Sequence, residues 1–199
     1  YKELMDEIHA QRPEADLRWS LIHAYLPIEP ETRTLEEMAE YGIIASVNPV
    51  FNWQEGAAFL TNLGPERFAR TKPFRSYMQA GVSLNSGSDY PVTSHDPWIG
   101  MYALMTRRSQ ADGQVYGPDE TLGVADALRT YTINGAFLTY EEDSRGSLET
   151  GKVADLVVLD LEDIRMLEED PELLFGMRDR ILLTLSDGVV RYQKEGFEG

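Results

Sequence analysis

The chain has 199 residues, 42% of them hydrophobic and 10% aromatic, enough for a sizeable core, yet no stretch approaches the roughly 18 apolar residues of a membrane span. Acidic residues outnumber basic ones 34 to 18, and the resulting charge of −16 repels phosphate backbones and anionic lipid, which argues against nucleic-acid and membrane partners. There is no cysteine, so disulfides, thiolate metal sites and a cysteine nucleophile are excluded.

In chain order, Leu4, Met5 and Ile8 among charges predict a short amphipathic helix over residues 1–11, ended near Pro13, with His9 in a structural role in its last turn. Residues 17–24 read as a strand ending at His23, and Pro27 and Pro30 mark the loop that follows. A helix over 29–41, with Leu35, Met38 and Ala39 on one stripe, is capped by Gly42. The nearly continuous apolar run 43–48 predicts a strand buried on both faces, stopped by Pro49. Residues 50–64 form a long connection carrying Phe51, Trp53 and Phe59, followed by a helix over 65–80 and Gly81. A third strand then leads through Leu84 to Asp89. The order β-α-β-α-β from 17 to 92 argues for parallel strands in an α/β fold.

Asp96-Pro97 has the form of an N-cap with proline at the first helical position, opening a helix that ends at Arg107-Arg108. Residues 112–119 are turn-rich, and 121–140 are expected to be one helix with Leu122, Ala125, Leu128 and Thr132 on one side. The character changes at 146, where turn residues precede an apolar strand over 153–159 and an acidic, irregular or helical excursion over 162–179. Apolar runs at 181–185 and 189–192 flank Ser186-Asp187-Gly188, a strong hairpin signal. Two domains are expected, an α/β body over 1–145 and a β module over 146–199.

His23 and Asp89 both end predicted parallel strands, and such ends converge at the mouth of a barrel, where a metal site is geometrically reasonable. A metal lowers the pKa of its bound water, and a neighbouring carboxylate can take the proton as that water attacks. Spacing alone favours plainer roles, a hydrogen-bonded core histidine and a turn aspartate. No nucleophile triad and no phosphate-loop glycine spacing is present.

The motifs carry more than the spacing. Ile22-His23-Ala24, Ala45-Ser46-Val47-Asn48-Pro49, Leu63-Gly64-Pro65-Glu66-Arg67, Gly87-Ser88-Asp89-Tyr90-Pro91-Val92, Tyr131-Thr132-Ile133-Asn134 and Gly151-Lys152-Val153-Ala154-Asp155-Leu156 occur in that order. Together they resemble the amidohydrolase superfamily, in the amidohydrolase 3 branch that includes N-substituted formamide deformylases. The resemblance spans nearly the whole chain but only the C-terminal portion of such proteins. It implies strands 6–8 of a (β/α)8 TIM barrel, followed by part of a small β-sandwich. It implies hydrolysis of non-peptide carbon–nitrogen bonds in small amides or formamides by a metal-bound hydroxide, the metal being zinc by preference. His23 matches the sixth-strand metal ligand, and Asp89 matches the eighth-strand aspartate, both metal ligand and catalytic base. Asn48 stands where relatives commonly carry glutamine, and the family's His-x-His and its fourth- and fifth-strand ligands have no match here.

A whole barrel takes roughly 250 residues, about 30 per unit, so the body holds about three of eight units. The chain begins at Tyr1 rather than Met, and upstream sequence is expected. The expected partner is therefore the missing N-terminal barrel half or further copies of the chain, the alternative to an active enzyme being a catalytically silent fragment or subunit. The compartment stays open, with the cytoplasm favoured. Among remaining candidates, His95 near the mouth is read as a substrate contact or, with more weight, as solvent-exposed, and Trp53 with Phe51 as a substrate-pocket wall or, equally, ordinary packing. Arg107 and Arg108 are expected on the surface, Arg75 in a helix-surface ion pair, and Lys152 and Asp155 in structural roles.

Overall fold

The apolar runs of the first half become three parallel strands joined by helices in the computed structural model, which describes residues 2–25 and 32–198. After α1 (Lys2–Gln11) come β1 (Ser20–His23), α2 (Thr34–Glu40), β2 (Ile44–Val47), α3 (Val50–Gln54), α4 (Gly56–Ala69), α5 (Phe74–Gln79), β3 (Leu84–Ser86) and α6 (Pro97–Thr106). The sheet order is β1-β2-β3, all parallel, with Leu21 opposite Ala45 and Ala45 opposite Leu84. The β-α-β-α-β expectation therefore holds. Pro27, Pro30 and the proposed start of the second helix lie outside the described residues.

The central strand is buried as its composition requires, Ala45 and Val47 being fully enclosed. Phe74 and Tyr77 of α5 and Met101 and Leu104 of α6 complete the core around it. β1 is different. Leu21 and Ile22 are successive and so point to opposite faces, yet they are 48% and 68% exposed. Neither face of this edge strand is covered within the described residues.

Three helix boundaries depart from the sequence reading. Residues 50–64, a connection of a length that tends to be functional or partly helical, are largely helical, because Pro49 has helical geometry (φ −62°) and starts α3 instead of merely stopping β2. The helix expected over 65–80 is two. Gly64, at φ 75° and ψ 166°, breaks α4 internally, and Pro73 bars Lys72 from helical geometry, so α5 begins afresh at Phe74. The third, expected over 121–140, divides into α7 (Val124–Thr130) and α8 (Ile133–Leu138) at Thr132, whose φ −127° and ψ −102° are not helical. Two threonines near this break turn their hydroxyls back onto helix carbonyls, Thr130 to Ala127 and Thr132 to Leu128, which weakens the helix there. The buried stripe of α7 is Val124, Ala127 and Thr130, not the one containing Ala125 and Leu128, and Leu128 is exposed.

Arg107 is also corrected, from the surface to the interior. It is 1% exposed, in left-handed geometry at φ 54°. Its guanidinium donates to the carbonyls of Lys72 (2.8 Å), Tyr116 (2.9 Å), Thr71 (3.0 Å) and Ala69 (3.1 Å), satisfying the C-terminal end of α4 and the turn beyond it. Burial pulls its pKa down to about 10, with Glu120 acting against the fall. Gly117 makes this packing possible: at φ 68°, a Cβ there would meet the Ala69 carbonyl oxygen at 2.1 Å. Arg75 makes no ion pair among the described residues; its guanidinium donates to the Thr121 carbonyl at 2.7 and 3.0 Å.

Above this layer Lys72 is fully buried, and its Nζ has no hydrogen-bond partner among the described residues. The nitrogen lies 4.2 Å from the Phe59 ring centre, 5.1 Å from that of Tyr25 and 5.8 Å from that of Phe51. Burial, and then the charge of Arg107, push its pKa well below the ordinary lysine value. Between its lowered folded pKa and the unfolded value near 10.4, the unfolded chain binds the extra proton, so this group makes stability rise with pH. Lys72→Met is expected to be about 1–2 kcal/mol more stable than wild type at neutral pH. That advantage should shrink as pH approaches 10 in denaturant titrations; a pH-independent difference would contradict a depressed lysine.

The remainder is β4 (Leu156–Leu159), a short α9 (Met166–Glu169), a 3₁₀ segment (Pro171–Arg180), β5 (Ile181–Ser186) and β6 (Val189–Gln193). β4, β5 and β6 form a separate antiparallel sheet in that order. The expected hairpin is present, with Asp187 at φ 52° and Gly188 at φ 71°, the two positive values a tight two-residue turn demands. The 3₁₀ segment packs on α6, where the Tyr102 hydroxyl donates to Glu172 at 2.8 Å. Lys152 donates to the Glu142 carbonyl and the Ser147 hydroxyl, and Asp155 accepts from Arg145 and from the Asp187 amide, so both are held in hydrogen-bonded structural roles.

Candidate functional site

Three strand ends point the same way in a parallel sheet, so whatever follows them is gathered on one edge. His23 is the last residue of β1, Asn48 follows β2 directly, and Gly87, Ser88 and Asp89 follow β3. With strands about 4.8 Å apart, the strand ends His23 and Ser86 are separated by roughly 10 Å, and Asp89 follows three residues beyond Ser86 on the same edge.

The geometry at these ends is unusual for non-glycine residues. His23 has φ 67° and Asp89 φ 55°, both in the left-handed region. Such conformations cost on the order of 1 kcal/mol or more and gather at functional sites, although histidine and aspartate tolerate them better than branched residues. Ala24, at φ 40°, extends the bend, and its carbonyl accepts from the buried Tyr77 hydroxyl at 3.0 Å. Burial, followed by the charge of Glu120, raises the Tyr77 pKa to about 12, so it stays a donor.

The imidazole of His23 is half-buried and held on two sides. Its Nδ1 lies 2.8 Å from Asn48 Oδ1, and its ring stacks on Phe51 at 5.9 Å between centres with 26° between planes. Tyr25 closes the same aromatic group, 5.6 Å from the histidine ring and 5.7 Å from Phe59. Asn48 is 8% exposed, and its Nδ2 donates to the Gly87 carbonyl at 3.2 Å. The Gly87 amide in turn donates to the Val47 carbonyl at 2.9 Å. The Asp89 carboxylate is exposed and has no hydrogen bond or ion pair among the described residues, while its carbonyl accepts from the Val92 amide at 2.8 Å.

The structure does not gather every candidate at this edge. Trp53, expected as a possible pocket wall, packs against Tyr102 at 5.0 Å and Phe175 at 5.7 Å, so its indole is engaged in joining α3 to α6 and the 3₁₀ segment. His95 is exposed and lies on the loop after Asp89, edge-on to Tyr90 at 5.2 Å with its Nε2 3.4 Å from Arg178 Nη2. Arg178 also pairs with Asp96 at 2.6 Å, while the other Asp96 oxygen accepts from the Trp98 amide as the expected N-cap. The loop after Asp89 is thereby tied to the 3₁₀ segment over Pro171–Arg180. Asn48 and Tyr25 are the neighbours that sequence reasoning missed as partners of His23. The signal available for Asn48 was its place directly after a buried strand.

An imidazole nitrogen with a carboxylate oxygen is a donor pair that zinc accepts. It is about half of a four-coordinate set. Among the described residues, no cluster of three or more histidine, aspartate or glutamate side chains could hold a metal. The donors fit in kind and fall short in number.

Comparisons with known proteins place this edge in context. The N-substituted formamide deformylase of Arthrobacter pascens is 33% identical over 184 residues, 92% of this chain and 32% of that protein. The putative amidohydrolase YtcJ of Bacillus subtilis is 26% identical over 196 residues, 98% of this chain and 36% of that one. The chain thus spans about a third of the length of these relatives. Its fold is similar to that of a metal-dependent hydrolase from Pyrococcus horikoshii OT3, with a TM-score of 0.65 and 24% identity over 84% of this chain and 34% of that one. The sequence profile of the amidohydrolase family matches residues 3–192, and the chain belongs to that family.

Proposed function

We propose that the chain is the C-terminal part of a metal-dependent hydrolase of non-peptide carbon–nitrogen bonds in small amide- or formamide-type substrates. In this reading β1, β2 and β3 are strands 6–8 of a TIM barrel, residues 1–145 are its body, and residues 146–199 contribute to a β-sandwich. The observation that carries it is that His23 and Asp89 follow strand ends on the same edge of one parallel sheet, both in left-handed geometry, with Asn48 joining His23 to Gly87 two residues before Asp89. Family membership supplies the reaction class.

His23 Nε2 and the Asp89 carboxylate would hold a divalent metal, zinc by preference, which when bound polarises the substrate carbonyl and acidifies water. Asp89 takes the proton of the attacking water and returns it to the leaving nitrogen. Its exposure leaves it reachable by both. The remaining ligands and substrate walls come from chain outside these residues, and the uncovered faces of β1 are where that chain, or a second copy, packs. His95, one turn of loop beyond Asp89, serves as a substrate contact.

The two-donor count also favours a second reading, a catalytically silent subunit. Zinc titration of this chain separates the two. The hydrolase reading expects binding that His23→Asn abolishes; binding unchanged by that substitution would contradict it. Tight stoichiometric zinc retained through dialysis would contradict the silent reading.

A further inference from the structure

We infer that Asn48 sets the tautomer of His23 and yokes it to the strand end that carries Asp89, an inference that rests on the reading of those two residues as the site. A neutral imidazole carries one N–H and one lone pair, and which nitrogen has which depends on its partner. Here the partner's orientation is fixed by its second contact. The Gly87 carbonyl can only accept, so the Asn48 atom 3.2 Å from it is the NH₂ group, and the amide oxygen is left facing His23 Nδ1 at 2.8 Å. An acceptor at that place takes the Nδ1 proton. The Nε2 lone pair is then free, as a metal ligand requires.

Burial makes this a firm device. Asn48 is 8% exposed, so water competes poorly for either bond, and the Phe51 ring stacked 5.9 Å away holds the imidazole plane. The same amide acts on the other side of β2. Gly87 is held twice, its N–H by the Val47 carbonyl and its C=O by Asn48, two residues ahead of Asp89. One side chain therefore fixes a proton on β1 and a backbone path on β3. It is a positioning residue.

Long-range ¹H–¹⁵N spectra of the metal-free chain near pH 8 test this, with His9 and His95 as internal references. Wild-type His23 is expected in the Nδ1–H form. In Asn48→Ala it should become a mixture of tautomers, zinc affinity should fall about 10-fold or more, and the Gly87 amide should exchange faster. Asn48→Asp separates the two functions. Its carboxylate still accepts from Nδ1, so the tautomer should persist, but it cannot donate to Gly87, so that amide should again exchange faster. An Nε2–H form in wild type, or a His23 spectrum unchanged in Asn48→Ala, would overturn the inference. Should Asn48→Ala not fold, loss of the Nδ1–H form in Asn48→Asp would overturn it. If His23→Asn leaves zinc uptake untouched, the metal reading fails while the tautomer result stands.

Discussion

Asp89→Asn in the full-length protein is expected to lower kcat by about 10²- to 10⁴-fold while changing KM far less, because an amide cannot take the proton of the attacking water. The substitution disturbs the fold little. Asn tolerates positive φ as readily as Asp, so the φ of 55° costs it little, and the carboxylate it replaces is exposed with no partner among the described residues. Thermal unfolding should move little. Steady-state kinetics on an amide or formamide substrate check this, and turnover within a few-fold of wild type would contradict the base assignment.

The second large effect concerns stability. Arg107→Met is expected to cost about 3–5 kcal/mol, since it strands the carbonyls of Ala69, Thr71 and Tyr116 and leaves that of Lys72 with only the Phe74 amide as donor. For a chain of this size that corresponds to a fall in Tm of roughly 10 °C. Arg107→Lys should lie between, because an ammonium keeps the charge but lacks the planar fork that reaches several acceptors at once. Denaturant unfolding measures both. A methionine variant as stable as wild type would show that water or repacking satisfies those carbonyls.

Why the parallel sheet was legible and the helix breaks were not follows from what each residue reports. Continuous apolar character in 43–48 means burial on both faces, and β2 is the buried central strand. Asp96 before Pro97, and Asp187 before Gly188, act through purely local geometry, and both motifs form as read. Pro49, Gly64 and Pro73 were visible too, but each permits more than one backbone course. Here Pro49 opens a helix, and Pro73 separates α4 from α5. Arg107 illustrates the limit more sharply. A helix-terminal arginine is ordinarily solvated, and only the return of the chain through Gly117 and Tyr116 encloses it.

The candidate site divides in the same way. That the segments ending at His23 and leading to Asp89 share one edge was legible because strand ends in a parallel sheet lie together, and motif order carried the family. Trp53 was not, since an aromatic in a connection has no periodicity to say which way it faces; the structure turns it to Tyr102 and Phe175. Nor was the partner of His23. Asn48 is 25 residues away in sequence, and only strand register brings it within 2.8 Å of the imidazole.

The most direct test of the central claim is the position of bound zinc in crystals of the full-length protein, read from anomalous scattering at the zinc edge. The expected result is a zinc peak within coordination distance, about 2.0–2.2 Å, of His23 Nε2 and an Asp89 carboxylate oxygen. A zinc bound elsewhere, with His23 and Asp89 both outside its coordination sphere, would contradict the account.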